Sequence, residues 1–182
     1  MKIKKKTLCI IPARGGSKGL KGKNIQKVDG KPLIFYPIKS AIKSKVCDDI
    51  FVSTDDEKIA KIAKKYGAQV PFLRKKNFAG DLVSTEETLK NALEEYESYK
   101  KTKYDICVFL TCTNIFRKYS FITKAVQNLK SSNFLESSFV VKKIYKHFWH
   151  EDKKKLKKVL PWMKEYTSRQ IAPKLYREDT GI

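Results

Sequence analysis

Apolar positions along the chain fall into short runs that alternate with stretches of helical period. Thr7–Ile11 (TLCII) is an unbroken apolar run of strand length, the pattern of a buried parallel strand. Lys31-Pro32 reads as a helix opening, with Leu33, Ile34, Ile38, Ala41 and Ile42 as its apolar stripe and Pro37 as a weak point. Ile50–Ser53 reads as a second strand. Over Asp56–Tyr66 the residues Ile59, Ala60, Ile62 and Ala63 share one helical face, and Gly67 ends the helix. Val70–Leu73 suggests a short third strand. Ser84-Thr-Glu-Glu87 is a capping box that starts a helix running to about Tyr99. Ile106–Leu110 is the most apolar strand, Phe121–Leu129 a helix and Ser138–Val141 another strand. This alternation predicts a single α/β domain over residues 1–182, with a mostly parallel sheet covered on both faces. Residues 142–168 are expected to leave that sheet as a lysine-rich flap or dimerisation excursion. Lys142–Lys158 interleaves lysines with Tyr145, Phe148 and Trp149 and reads as a hairpin or flap.

Composition narrows the class. The chain has 182 residues, of which 41% are hydrophobic, enough for one sizeable core. No apolar run approaches the ~20 residues of a membrane-spanning helix. The basic start, Met1-Lys-Ile-Lys-Lys-Lys, runs into a strand and a glycine-rich loop rather than a signal-peptide core. A cytoplasmic protein without membrane association is the expectation. Cys9, Cys47, Cys107 and Cys112 form no C-x-x-C pair and lie far in sequence from His147 and His150, which disfavours zinc. Cys9 and Cys107 sit inside apolar runs, so buried free thiols are expected there.

The formal net charge of +21 invites a nucleic-acid reading. Its distribution argues otherwise. The 40 basic residues include only Arg14, Arg74, Arg117, Arg169 and Arg177 as arginines, and the lysines are spread over almost every element. A solvated lysine surface explains that spread better than a groove for nucleic acid. The scarce arginines are then expected where a planar, bidentate fork must hold phosphate or carboxylate.

The loop Pro12–Asn24 (PARGGSKGLKGKN) follows the first strand directly, at the carboxyl edge where open α/β sheets bind ligands. Its glycines permit close backbone approach, and successive amides can form an anion nest. Arg14, Lys18, Lys21 and Lys23 add compensating charge. A Walker loop is excluded by Ser17 at its first glycine position and by Asn24 after Lys23; no G-x-G-x-x-G spacing occurs. The loop is therefore expected to cradle phosphates by another route.

The run I-P-A-R-G-G-S-K-G-L-K-G-K-N closely resembles the N-terminal signature of the acylneuraminate cytidylyltransferases, a family that includes legionaminic and pseudaminic acid cytidylyltransferases. Gly30–Ile34, Val52–Asp56, Pro71–Arg74, Ala79–Ser84 and Ser168–Glu178 resemble later family motifs in the same order. The resemblance implies a three-layer α/β/α, Rossmann-like nucleotidyltransferase fold. It implies Arg14, Lys18 and Lys23 as catalytic residues. Arg14, Gly15, Ser17, Lys18, Lys23, Asn24, Arg74, Asp81 and Ser84 would bind nucleotide, and Thr111, Arg169 and Arg177 would bind sugar. The implied reaction transfers CMP from CTP to the anomeric hydroxyl of a nine-carbon acidic sugar with release of pyrophosphate. Mg²⁺ as cofactor and a homodimer are also implied.

Two segments depart from the family pattern. Where the family reads Q-P-T-S-P-L-R, this chain has T-C-T-N-I-F-R over Thr111–Arg117, so the glutamine that contacts sugar becomes Thr111, with a shorter reach. The chain also ends at Thr180-Gly-Ile182, before the family's closely spaced aspartate pair that helps hold metal. A fragment is the first expectation, with lower stability than a full-length relative. The alternatives are a non-catalytic nucleotide-binding homologue and a 3-deoxy-octulosonate cytidylyltransferase. A nucleic-acid-binding protein rests on charge alone.

Overall fold

The computed structural model of the chain describes residues 5–17, 19–80, 83–144, 148–159 and 175–178. Strand β1 is Thr7–Pro12. A small ladder of β2 (Lys27–Val28) and β3 (Lys31–Pro32) precedes helix α1 (Phe35–Ser44). Then come β4 (Asp49–Ser53), α2 (Glu57–Lys65), α3 (Thr85–Lys100), β5 (Ile106–Phe109) and α4 (Tyr119–Ser131). Contacts divide the chain into a larger unit, Met1–Phe139 with Thr180–Ile182, and a smaller one, Val140–Asp179.

In the larger unit β1 is the middle of a parallel sheet ordered β4-β1-β5. Its alternating side chains serve both faces, which explains the unbroken apolar run. Cys9 and Ile11 pack with residues of α1, α2 and α4, among them Ile38, Ile59 and Ile122. Leu8 and Ile10 pack on the other face with Phe51, Ala92 and Tyr96. The layers are therefore helix, sheet and helix. Tyr96 of α3 is fully buried, stacks on Phe51 at 4.6 Å and donates to Gln69 Oε1 at 2.8 Å. At the amino end of β1, Asp48 accepts from the Thr7 amide and Asp105 from the Lys6 amide, fixing where the strand begins.

The predicted starts of α2 and α3 hold. Asp56 caps α2, its side chain accepting from the Ile59 amide at 3.0 Å. Ser84 and Glu87 form the reciprocal box on α3. Other expectations need correction. Lys31-Pro32 is a two-residue strand, and α1 begins only at Phe35, so Pro37 falls in the first turn, where its missing N–H costs nothing. Val70–Leu73 is not a strand. Pairing with β4 shrinks to one parallel bridge, Phe51 to Gln69, and Pro71 has no N–H with which to continue a ladder. Cys9 is buried as expected, but Cys107 is exposed, because α3 packs over β1 and β4 rather than over β5.

The smaller unit holds two antiparallel pairs among its described residues. Strand β6 (Val141–Ile144) pairs with β9 (Leu175–Glu178), and β7 (Trp149–Asp152) with β8 (Lys155–Lys158). The strand expected at Ser138–Val141 thus begins at Val141 and joins no parallel sheet. The lysine-rich segment does form a hairpin, turning through Lys153 and Lys154, both at positive φ.

Candidate functional site

The glycine-basic loop is tied down from below. The Ala13 amide extends the β1 ladder to the Ser53 carbonyl at 2.9 Å. The Gly15 amide donates to Asp55 Oδ1 at 2.8 Å. Asn24, 6% exposed, donates from Nδ2 to the Arg14 carbonyl at 2.9 Å and so closes the loop on itself. Gly22 lies at φ +64 before a short 3-10 turn over Lys23–Ile25, a conformation that favours glycine.

These constraints leave a cavity of about 340 Å³ at the carboxyl edge of the parallel sheet, the edge where such sheets bind ligands. One wall is the loop, through Pro12, Arg14, Ser17, Lys23 and Asn24. A second is Arg74 with Phe78–Gly80. The start of α3 supplies Val83, Thr85 and Thr88. The carboxyl end of β5 and the loop beyond it supply Phe109 and Thr111–Thr113.

Arg74 is 7% exposed. Its Nε donates to Ser53 Oγ at 3.0 Å, and its Nη2 to the Ser53 carbonyl. Burial pushes this guanidinium below its ordinary range; Asp55 opposes that shift and Arg14 adds to it. An anionic ligand between Arg14 and Arg74 would relieve that repulsion. Burial pushes the Cys112 thiol up to about 12, against the opposing pull of Arg117 and Lys23, so it is a neutral part of the wall.

Of the residues singled out from sequence, Arg14, Ser17, Lys23, Asn24, Arg74 and Thr111 line this cavity. Gly15 lies behind the loop, where a Cβ would meet Asp56. Ser84 caps α3 between two lining residues, Val83 and Thr85. Arg177 is an exposed residue of β9 in the smaller unit, paired in register with Lys142. Lys18, Asp81 and Arg169 lie outside the described residues. Sequence reasoning passed over Thr85, Thr88, Cys112 and Thr113. Thr85 and Thr88 stand one turn apart just after a recognised N-cap, and Cys112 and Thr113 follow the carboxyl end of a recognised strand, so position alone could have flagged them. Among the described residues no group of three His, Cys, Asp or Glu side chains could hold a metal ion. Asp55 and Asp56 are engaged with the Gly15 and Ile59 amides. No described carboxylate set therefore fits Mg²⁺.

A family model described as cytidylyltransferase matches residues 8–181. A pseudaminic acid cytidylyltransferase of Campylobacter jejuni subsp. jejuni serotype O:23/36 is 43% identical over 113 residues, 62% of this chain and 49% of that one. A protein of Campylobacter coli named post-translational flagellin modification protein B is 35% identical over 178 residues, 96% of this chain and 75% of that one. The chain thus spans about half the length of the first relative and three quarters of the second. Among solved structures, a CMP:2-keto-3-deoxy-manno-octonic acid synthetase complexed with CTP superposes with a TM-score of 0.65 at 21% identity, covering 77% of this chain and 54% of that one. At that identity the likeness concerns the fold.

Proposed function

Because the chain belongs to the cytidylyltransferase family, we propose that it transfers CMP from CTP to the anomeric hydroxyl of a nine-carbon acidic sugar, releasing pyrophosphate. The observation that carries this reading is the single cavity shared by Arg14, Ser17, Lys23 and Asn24 on one wall and Arg74 and Thr111 on others. The loop wall suits a triphosphate: backbone amides and two cations meet negative charge in a fixed geometry, so little reorganisation is needed as charge moves to the leaving group. The start of α3 and the Phe78–Gly80 segment, which line the same cavity, would take the cytosine base. The β5 side remains for the sugar. The anomeric hydroxyl oxygen forms the bond to the α-phosphorus and gives up its proton to solvent, and the bond from that phosphorus to the bridging oxygen of pyrophosphate breaks. Pyrophosphate leaves with the electron pair while Arg14 and Lys23 hold its charge. With CTP as substrate the protein would work in the cytoplasm, as a homodimer like the family it resembles. Among the described residues no helix is long and apolar enough to cross a membrane.

The test is pyrophosphate release by the purified chain with Mg²⁺, CTP and a panel of eight- and nine-carbon keto-sugar acids. Release with CTP and a nine-carbon acid, and not with ATP or UTP, is the expected outcome. CTP-dependent thermal stabilisation without release would replace transfer by nucleotide binding alone.

A further inference from the structure

Arg117 belongs to none of the groups assigned so far, yet it is 8% exposed in a protein whose other cations are mostly at the surface. Its Nη2 lies 3.2 Å from the Thr111 carbonyl and 3.5 Å from Thr111 Oγ1. One nitrogen therefore spans the start of the loop that leaves β5, and both of its partners are on a residue that lines the cavity. A guanidinium can only donate. Both Thr111 oxygens must accept from it, and the hydroxyl proton is directed away from Arg117. No acceptor for that proton stands among the described residues.

We infer that Arg117 is a positioning residue that fixes Thr111 as a hydrogen-bond donor on the β5 wall, and so selects ligands presenting an anionic or carbonyl oxygen there. The inference rests on the transferase reading for the identity of that ligand: the carboxylate or an acyl oxygen of the acidic sugar. A free threonine hydroxyl could donate or accept and would tolerate either a hydroxyl or a carboxylate. With Arg117 behind it, its polarity is set. A lysine at 117 would keep the charge, but its flexible stem carries no rigid planar group to fix the donating nitrogen opposite both oxygens.

The experiment measures binding and turnover separately. Calorimetric titrations of the full chain with CTP, N-acetylneuraminate and pseudaminate are compared for wild type, Thr111→Ser, Thr111→Val, Arg117→Lys and the Val/Lys double variant. Thermal melts identify any variant that fails to fold. Thr111→Val and Arg117→Lys should each weaken the sugar acid by about tenfold with the CTP affinity within about twofold. Thr111→Ser should bind like wild type. The double variant should be no weaker than Thr111→Val alone, because Arg117 acts through the hydroxyl. In turnover the loss should fall on KM for the sugar rather than on kcat. Additive losses, an equal loss for CTP, or no loss for Thr111→Val would overturn the inference. So would a wild type that binds CTP but neither sugar acid. If the sugar affinities behave as expected but no pyrophosphate is released, the positioning role stands and the transferase reading falls.

Discussion

Gly15 offers the sharpest test of how the phosphate loop is held. A Cβ built at Gly15 would lie 2.8 Å from Asp56 Oδ2 and 2.9 Å from Asp56 Cβ. The first contact could be relieved by a side-chain rotation, but the second cannot, because Asp56 Cβ is fixed to the backbone that starts α2. Two responses are open to a Gly15→Ala variant. The Asp56 backbone can shift, disturbing its cap on the Ile59 amide, a bond type worth about 1 kcal/mol. Alternatively the loop can lift, stretching the Gly15 amide from Asp55 Oδ1, at about 1.5–3 kcal/mol for a bond to a charged group. The two routes together span a loss of about 1–3 kcal/mol, in line with overpacking elsewhere. For a chain of this length that is a fall in Tm of about 2–12 °C. Gly16→Ala is the control, since a Cβ there meets nothing within 4 Å. Both variants remove a glycine from the unfolded chain and share that gain of ~0.4–1 kcal/mol, so their difference isolates the contact. Differential scanning calorimetry with and without CTP reads both effects: Gly15→Ala should melt lower and gain less from CTP. Equal melting of the two variants would refute the reasoning, because it would mean that the loop and the α2 cap are not sterically locked.

Other outcomes follow from the same geometry. Arg74→Lys keeps a cation but loses the two-pronged hold on Ser53, and should cost about 2 kcal/mol in a denaturant titration and weaken CTP-dependent stabilisation. Ser84→Ala removes one half of the capping box, and a Tm drop of about 2–4 °C is expected for the ~1 kcal/mol such a cap contributes; unchanged melting would show the box to be inert. Burial opposes ionisation of Asp49, but hydrogen bonds from Tyr104, Lys100 and Gln69 outweigh it and hold the carboxyl below its ordinary value. A depressed folded-state value means that stability from this group is present above its unfolded value of about 3.9 and is lost as pH falls through the folded-state value. In melts taken from pH 7 down to pH 2, Asp49→Asn should therefore be destabilised at neutral pH and converge on wild type in acid. A constant gap across that range would exclude the ionised pair as its source.

Legibility in the sequence followed the range of the physical signal. The β1 run, the α2 period and the α3 capping box are local, and the structure places each within about a residue of where the chain announces it. The phosphate loop was legible for the same reason: thirteen consecutive residues, Pro12–Asn24, carry its glycines and cations. What failed depended on distant partners. Whether Val70–Leu73 joins a sheet turns on Pro71 and on a pairing that ends at Gln69. Whether Val141 enters the parallel sheet turns on residues 175–178, more than thirty positions away. The exposure of Cys107 depends on which strands α3 crosses, which no single apolar run encodes.

The arginines show how a partly correct chemical expectation is reshaped by packing. Scarcity suggested that a guanidinium was kept wherever its fork must hold phosphate or carboxylate. At Arg74 the fork is taken up by the side chain and carbonyl of Ser53 at the end of β4. At Arg117 a single nitrogen, Nη2, reaches both the carbonyl and the hydroxyl of Thr111, just past β5. Both are buried, and both brace carboxyl ends of strands that border one cavity. Lysine cannot replace Arg74, because one ammonium on a flexible stem does not reproduce two nitrogens held in a plane against two oxygens. Lysines supply charge over the surface and at Lys23 in the loop, whereas Arg74 and Arg117 supply shape. The cavity thus owes its attraction for anions to cations such as Arg14 and Lys23, and the rigidity that makes this attraction selective to arginines bonded to the protein itself.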